Sequence, residues 1–287
     1  MIPGSFEYHR PSSLDDAVGL MSSLGEDALL VAGGHSLIPM MKLRMAAPEH
    51  LIDLQDVQSL KSISIDGGKV ALGAMVTQAE LIASEELCAI CPLLKEASLQ
   101  IADPQIRNLG TIGGNVANGD PGNDMPAVMQ TLGATYMLTG PDGEREVAAK
   151  DFYEAAYFTA REDNEILTAI CFDAPAKGHG SAYLKQKRKI GDYATAAAAV
   201  VLEISGGNCT AASIGLTNVG DTPLLAEEAS AILVGSSLDD DTVKKAMEAA
   251  RAITDPASDG RGPKEFRTHI AGIMVQRAIA LAQSRAK

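Results

Sequence analysis

The chain has 287 residues, of which 24 are Lys or Arg and 37 are Asp or Glu, so its formal net charge is −13. This charge argues against a nucleic-acid-binding protein, because such proteins neutralise phosphates with a basic surface. A hydrophobic fraction of 46% argues against disorder, and the length predicts about two domains at roughly 150 residues each.

We expect no signal peptide at the N-terminus, because no charged stretch followed by an apolar one occurs in Met1-Ile-Pro-Gly-Ser-Phe-Glu-Tyr-His-Arg10. No later stretch approaches the ~20 apolar residues of a membrane span. Four cysteines are too few for a disulfide scaffold and favour a reducing compartment. We therefore expect a cytoplasmic protein, and a peripheral location at the inner face of the cytoplasmic membrane stays open.

Apolar periodicity predicts alternating helices and strands in the first hundred residues. Ser12 and the acidic residues after it are typical of a helix start, and Asp66-Gly-Gly68 is typical of a hairpin turn. Thr77 and Glu80 have the spacing of a capping box. In chain order we predict a helix at 12–24, strands at 28–31, 50–54, 62–65 and 69–72, and helices from 77 and at 85–100.

Residues 103–124, rich in Gly, Asn, Asp and Pro, form the longest stretch for which we predict neither helix nor strand. Long loops in compact domains are usually functional, so we expect a site here. The elements predicted after it are a helix at 125–132, a strand at 134–138, a turn at 141–143 and a strand at 165–172.

A break containing Pro and Gly at residues 174–180 separates this part from the last third of the chain. Strands followed by segregated helices indicate an α+β domain beyond it. The predicted elements there are a three-stranded antiparallel meander at 181–189, 195–204 and 209–217, and helices at 225–233, 239–253 and from 263 onwards.

Motifs of several common enzyme classes are absent from the sequence, including the Rossmann and Walker A glycine loops, the Gly-x-Ser-x-Gly elbow and the His-Glu-x-x-His zinc motif. Cys88 and Cys91 form a Cys-x-x-Cys pair, but Cys171 and Cys209 are too isolated to complete a four-ligand metal site. We favour a buried helical thiol pair over a metal or redox role. The five histidines are scattered along the sequence, and we expect no ligand cluster from them.

Two glycine-rich segments are candidates for ligand binding: Ala32-Gly-Gly-His-Ser36, directly after a predicted strand, and Gly110-Thr-Ile-Gly-Gly-Asn115. Paired glycines let backbone N–H groups approach an anion, and Ser, Thr and Asn side chains add donors. A helix that begins near Ser36 would present its positive end to the same anion. Plain turns would explain either segment alone. Together, the two segments indicate a ligand with two phosphates held between them.

These segments and several longer ones resemble the FAD-binding subunits of the molybdenum hydroxylases, the xanthine dehydrogenase group. The similarity runs nearly from end to end and is greater to the medium flavoprotein subunits of aerobic carbon monoxide dehydrogenases. Besides the two glycine loops, the segments that carry it are Met1-Ile-Pro-Gly-Ser-Phe6, residues 32–42, Ile101-Ala-Asp-Pro-Gln-Ile-Arg107, Asn118-Gly-Asp-Pro-Gly-Asn-Asp-Met-Pro126, Lys187-Arg-Lys-Ile-Gly-Asp-Tyr-Ala-Thr195, Ser213-Ile-Gly-Leu-Thr-Asn218 and Pro256-Ala-Ser-Asp-Gly-Arg-Gly-Pro263.

The resemblance implies an α+β protein. A two-part FAD-binding domain of the vanillyl-alcohol-oxidase (PCMH) type would be followed by a smaller α+β domain with a three-stranded antiparallel sheet and helices. The expected bounds are residues 1–177, with parts at about 1–55 and 56–177, and residues 178–287. Some members of the wider fold attach flavin through a histidine, but His35 lies in the pyrophosphate loop, so we expect non-covalent FAD.

The resemblance also implies which residues bind FAD. The two glycine loops would hold its pyrophosphate, and Tyr193 would lie over the isoalloxazine ring. A lysine directly after Tyr183 belongs to the family pattern, but Leu184 stands there and Lys185 follows, so this assignment is open by one residue. The implied residues are Ala32, Gly33, Gly34, His35, Ser36, Leu37, Ile101, Thr111, Ile112, Gly113, Gly114, Asn115, Asp124, Leu167, Lys185 and Tyr193.

The same resemblance implies an electron-transfer subunit, for which we expect no catalytic residue and no metal in this chain. Carbon monoxide would be oxidised at a molybdopterin-bound molybdenum centre in a large subunit. Electrons would pass through the [2Fe–2S] clusters of a small subunit to FAD in this chain and then to a quinone, in a dimer of heterotrimers. Two alternatives stay open: the flavin subunit of a related hydroxylase that acts on an N-heterocycle or aldehyde, and a stand-alone FAD oxidoreductase.

Overall fold

A computed structural model describes residues 2–287 and begins with a small parallel sheet. Its strands are β1 (Glu7–His9), β2 (Ala28–Val31) and β3 (His50–Asp53), in the order β1-β3-β2. Helix α1 (Leu14–Leu24) connects β1 to β2, and α2 (Leu37–Lys42) lies between β2 and β3. Parallel strands need such crossover connections. The first glycine loop therefore follows the carboxyl end of β2, at the edge where α/β proteins place their ligands.

The second sheet is antiparallel and has five strands in the order β4-β5-β10-β6-β7. Helices connect β5 to β6, and a two-stranded ribbon of β8 and β9 precedes β10. The strands are β4 (Ile63–Asp66), β5 (Lys69–Gly73), β6 (Thr135–Gly140), β7 (Gly143–Ala148), β8 (Tyr153–Ala155), β9 (Phe158–Thr159) and β10 (Ile166–Asp173). The helices are α3 (Gln78–Ala83), α4 (Glu85–Ile90), α5 (Pro92–Gln100), α6 (Pro104–Arg107), α7 (Ile112–Ala117) and α8 (Met125–Thr131).

The third sheet is an antiparallel meander followed by helices. Its strands are β11 (Gly180–Gln186), β12 (Ala196–Ser205), β13 (Asn208–Thr217) and β14 (Leu224–Leu225), and the helices are α9 (Glu227–Leu233), α10 (Asp240–Ala252) and α11 (Lys264–Arg285). None of the helices in the described residues is long and apolar enough to cross a membrane.

Strand β12 is buried on both faces, which joins the third sheet to the rest of the molecule. Ala196 and Ala198 pack in the core formed with α9, α10 and α11, whereas Ala197 and Ala199 pack in the core of the second sheet. Successive side chains of a strand point to opposite faces, so β12 serves two cores at once. Its neighbour β11 consequently directs alternate side chains towards the second sheet and the cavity described below.

The observed architecture confirms the α+β class and corrects three details. The third sheet has four strands rather than three, because Leu224–Leu225 pairs with β13. The stretch 103–124 contains the short helices α6 and α7. The helix expected at 85–100 is two helices separated at Cys91, since Pro92 cannot continue α4 and begins α5 instead. The capping box of Thr77 and Glu80 is present as predicted.

Candidate functional site

A cavity of about 1020 Å³ lies among the carboxyl end of β2, helix α7, strand β10 and the segment after β11. Small-molecule sites usually measure about 300–1,000 Å³, so this cavity has room for a dinucleotide. All sixteen implied FAD-binding residues except Ile112 line it. The side chain of Ile112 is fully buried in the core of the second sheet. The structure thus brings the two glycine loops to one cavity, and the roles of the individual residues stay a prediction.

The first glycine loop contacts the second part of the chain through Gly33. A Cβ atom at this position would overlap the carbonyl oxygen of Leu109 and lie 2.8 Å from the Cα of Gly110. Gly34 adopts a φ of 72°, in the left-handed region that favours glycine. Both glycines are therefore required by the path of the chain itself, before any ligand is considered.

The backbone of the first loop also has donors available. In residues 2–287, no acceptor in the chain takes a hydrogen bond from the backbone N–H groups of Gly34, His35 and Ser36. Ser36 precedes α2, and its side chain makes no capping hydrogen bond. Successive unpaired N–H groups beside a cavity suit an anion such as a phosphate. The first loop therefore suits a phosphate, and its role in binding one stays a prediction.

The second glycine loop differs, because the chain uses most of its backbone N–H donors internally. The N–H groups of Ile112 and Gly113 donate to the carbonyl oxygens of Val76 and Ala74, at 2.8 and 2.9 Å. The N–H group of Gly114 donates to the Thr111 hydroxyl at 3.0 Å, which makes Thr111 the N-cap of α7. In residues 2–287, the N–H group of Thr111 is the one backbone donor of the second loop that has no acceptor, against at least three in the first loop. The contact of both loops with a pyrophosphate stays a prediction.

Asn115 braces the segment that carries Asp124. Its backbone oxygen accepts a hydrogen bond from the side chain of Asn123 at 2.8 Å, and its Oδ1 accepts one from the N–H group of Met125 at 3.1 Å. Asp124 is held between these two contacts. The second loop thus contributes a rigid support on one side of the cavity.

Asp124 and Lys185 form a buried ion pair at the cavity wall. Lys185 Nζ lies 2.8 Å from Asp124 Oδ2, and the two side chains are 1% and 4% exposed. The Tyr183 hydroxyl donates to the other carboxylate oxygen. Burial raises the pKa of Asp124, while the charge and hydrogen bond of Lys185 act in the opposite direction. Burial also raises the pKa of Tyr183, which stays a neutral donor.

Strand alternation explains why Lys185 rather than Leu184 reaches the cavity. Tyr183 and Lys185 lie two residues apart on β11 and share a face. Leu184 points to the opposite face and packs against the helical core. The alternation of the predicted strand could have shown that Tyr183 lies on the same face as Lys185, and both side chains contact Asp124.

Tyr193 also lines the cavity, in the segment between β11 and β12. Its hydroxyl donates to Asp120 Oδ2 at 3.0 Å, and the Arg261 guanidinium lies 5.6 Å from the centre of its ring. The side chain is 40% exposed, so the ring is accessible. Burial and the nearby Asp120 raise the pKa of the hydroxyl.

A buried arginine fixes the backbone beside Tyr193. The Arg267 guanidinium, on α11, donates to the carbonyl oxygens of Thr195 at 3.2 Å and of Ala257 at 2.7 Å, and also to that of Asn218. Three separate segments therefore meet at one charged side chain. Sequence reasoning missed this residue, because its partners are backbone groups distant in sequence.

The structure agrees only in part with the predicted buried thiol pair, since Cys91 is buried but Cys88 is half-buried, and it differs from the expectation of scattered histidines. All four cysteines are free, and burial raises the pKa of Cys91 to about 12, which agrees with a structural thiol. The histidines, in contrast, are not all scattered. His9 and His50 come together with Glu7 across the first sheet, because the parallel pairing of β1 and β3 joins residues that are distant in sequence.

Comparison with known proteins gives the same assignment for both parts of the chain. A family model described as "FAD binding domain in molybdopterin dehydrogenase" matches residues 4–174. A second, described as "CO dehydrogenase flavoprotein C-terminal domain", matches residues 181–282. These two domains together define an FAD-binding subunit of a molybdenum-containing oxidoreductase.

Relatives with known names cover the whole chain. The carbon monoxide dehydrogenase medium chain of Afipia carboxidovorans is 63% identical over 287 residues, which is 100% of both chains. That of Hydrogenophaga pseudoflava is 48% identical and covers 99% of both. A solved chain of Cu,Mo-CO dehydrogenase superposes with a TM-score of 0.99 over 100% of both chains, at 63% identity. The chain belongs to the molybdenum hydroxylase family, among the FAD-binding medium chains of the carbon monoxide dehydrogenase group.

Proposed function

We propose that this chain carries the FAD of an aerobic carbon monoxide dehydrogenase and transfers electrons from a partner subunit to a quinone. The observation that carries the proposal is the 63% identity to a carbon monoxide dehydrogenase medium chain across all 287 residues. A stand-alone flavoenzyme is disfavoured, because relatives of this kind are subunits and bear the names medium chain or medium subunit.

The cavity suits FAD on three grounds. Its volume of about 1020 Å³ accommodates a dinucleotide, the first loop offers unpaired N–H groups, and the accessible Tyr193 ring suits contact with a flat aromatic ring system. In this arrangement Gly34, His35 and Ser36 would donate to the pyrophosphate. Ile101 and Leu167 would give apolar contacts and exclude water. Bound FAD supplies the exchange between single-electron and two-electron transfer.

The remaining chemistry of the complex belongs to partner subunits in this proposal. Oxidation of carbon monoxide with water to carbon dioxide releases two electrons and two protons. A molybdenum-containing large subunit would perform that step, and a small subunit with [2Fe–2S] clusters would deliver the electrons singly. This chain positions the flavin between the clusters and a quinone, in a dimer of heterotrimers. A membrane quinone would bring the cytoplasmic complex to the inner face of the membrane.

We also propose that the chain divides at residues 177/178, with the first domain split near residue 55. The match of one family model to residues 4–174 and of the other to residues 181–282 supports the main boundary. The domains are not independent in packing, since Tyr183 and Ala197 of the third sheet belong to the core of the second sheet.

The experiment is to tag the chain in its host, purify the complex and record its visible spectrum under carbon monoxide. Flavin bands that bleach under carbon monoxide, together with iron–sulfur absorption and two co-purifying chains, are the expected result. An N-heterocycle and an aldehyde serve as competing substrates. Bleaching by either of these but not by carbon monoxide would overturn the proposed substrate, and a colourless or single-chain preparation would overturn the electron-transfer role.

One relative supports the alternative function, that of the flavin subunit of a related hydroxylase that acts on an N-heterocycle. Quinoline 2-oxidoreductase from Pseudomonas putida 86 has a solved chain that superposes with a TM-score of 0.94 and covers 99% of both chains. Its identity is 35%, against 63% for the carbon monoxide dehydrogenase chain. The difference favours carbon monoxide, and the heterocycle control in the experiment above decides between them.

A further inference from the structure

Three side chains with metal-ligand chemistry meet on the first sheet, apart from the flavin cavity. Glu7 and His9 lie on β1, and His50 is the first residue of β3, where it pairs with Glu7 in the parallel register. Residues two apart on a strand face the same side, so all three side chains project from one face of the sheet. None of them lines the cavity. The flavin site therefore does not account for their arrangement.

The distances between the side chains suit a single ion. His9 Nε2 lies 3.1 Å from His50 Nδ1, and His50 Nδ1 lies 3.6 Å from Glu7 Oε2. Two ligand atoms at the usual bond lengths of a tetrahedral zinc ion are about 3.3–3.4 Å apart. The two measured distances lie on either side of that value, and all three ligand atoms lie within 4.8 Å of one another.

We propose that Glu7, His9 and His50 bind a divalent transition-metal ion of the zinc class, with water completing the coordination. Two imidazoles and one carboxylate are a ligand set that suits Zn²⁺. The histidines are half-buried and Glu7 is exposed, so an ion can enter from solvent with its water. Within residues 2–287, no other trio of His, Cys, Asp or Glu side chains has this proximity.

The ion would link the first strand to the rest of the sheet. Strand β1 has three residues and pairs only with β3. A metal held by two side chains of β1 and one of β3 therefore adds a cross-link where few hydrogen bonds exist. Ions that bind the folded chain raise its stability in proportion to the logarithm of their concentration. Zinc should accordingly raise the melting temperature of the chain.

The competing explanation is a hydrogen bond between the two imidazoles, with one proton shared and no ion. A zinc titration distinguishes the two explanations. The full-length chain is first stripped of metal with a chelator, and Zn²⁺ binding is then measured in competition with a chromophoric chelator. We expect one equivalent of Zn²⁺ and a higher melting temperature. His9→Gln and His50→Gln should each weaken zinc binding by more than the roughly 10–100-fold that loss of an outer-shell partner costs.

His269→Gln is the matched control, because His269 is exposed on α11 and distant in sequence from the cluster. Its zinc affinity should equal that of the unmodified chain. Melting curves without metal establish that the variants fold, and Glu7→Gln provides a third ligand variant at an exposed position. Zinc binding that is absent, or that His9→Gln and His269→Gln reduce equally, would overturn the proposal. The readout does not depend on bound FAD, so failure of the proposed function would leave it unaffected.

Discussion

The two glycine loops share a Gly-Gly pair but use it in different ways. In the first loop, the N–H groups of Gly34, His35 and Ser36 have no partner in the described chain, and they border the cavity. In the second loop, Gly113 and Gly114 donate within the chain, to Ala74 and Thr111. The same motif therefore presents donors to a ligand in one place and permits close packing in the other. A glycine pair alone does not distinguish these roles.

The second loop obtains its rigidity from neighbours rather than from its own sequence. A Cβ atom on Gly113 would lie 2.6 Å from the carbonyl oxygen of Ala74, so α7 packs directly on the segment after β5. Asn115 fixes residues 123–125, and Lys185 of the third sheet fixes Asp124. Changes on this side should consequently affect stability first, whereas changes to the donors of the first loop should affect flavin affinity first.

The largest effect is expected from Lys185→Met, which leaves the Asp124 carboxylate buried without its cation. Truncation of one partner of a buried ion pair costs about 3–5 kcal/mol, and the distorted cavity wall should also release FAD. Chemical denaturation of the variant measures the loss. Lys177→Met, at an exposed lysine, is the control and should match the unmodified chain. A stable Lys185→Met protein would show that the pair does not support the second loop.

The pH dependence of the same variant tests the cause. Burial raises the pKa of Asp124, and the variant removes the charge of Lys185 that opposes this shift. An acid whose pKa is higher in the folded state binds more protons when folded, so its contribution to stability decreases as the pH rises. The stability deficit of Lys185→Met should be larger at mildly alkaline than at mildly acidic pH. An equal deficit at both would contradict a buried carboxylate as its source.

A smaller effect is expected from Gly33→Ala, because its Cβ would overlap the carbonyl oxygen of Leu109. Overpacking of this kind costs about 1–3 kcal/mol, and movement of the first loop away from the second should lower the FAD content. The control is Gly19→Ala, since nothing lies within 4 Å of a Cβ there. Thermal unfolding and acid-released flavin are measured for both. Normal stability and flavin content in Gly33→Ala would contradict the contact between the loops.

Removal of one hydroxyl in each loop sharpens the comparison further. Thr111→Val deletes the N-cap of α7 and should cost about 0.5–2 kcal/mol of stability. Ser36→Ala deletes a hydroxyl that caps nothing in the described chain, so its unfolding midpoint should stay unchanged while FAD affinity decreases. Denaturation curves give the stability of each variant, and flavin titrations give its FAD affinity. The assigned division between the loops would be wrong if Ser36→Ala destabilised the chain and Thr111→Val did not.

The smallest effect is expected from Tyr193→Phe. It removes the hydrogen bond to Asp120 but keeps the ring beside Arg261, so the stability loss should be about 0.5–1.5 kcal/mol. FAD content should be retained. Tyr193→Ala, which also removes the ring, should lower FAD content. If the two variants lost the same amount of flavin, the ring would have no role in binding.

The sequence predicted local features well because they depend on neighbouring residues. The strand at Ala28–Val31 and the capping box of Thr77 and Glu80 follow from short patterns. Asp124 and Lys185 were each found through resemblance, but their ion pair was not, because 61 residues separate them. The contact of His9 with His50 was not predicted either, because 41 residues separate them. Whether a loop N–H group is free also depends on distant segments, so the difference between the two glycine loops required the fold.

The most direct test of the central claim is the structure of the purified complex at a resolution that resolves the content of the cavity. The account predicts FAD with its pyrophosphate at hydrogen-bonding distance from the backbone nitrogens of His35 and Ser36, and with its ring system beside Tyr193. FAD bound elsewhere, or a pyrophosphate held by the backbone of Gly113 and Gly114 with the first loop away from it, would contradict the account.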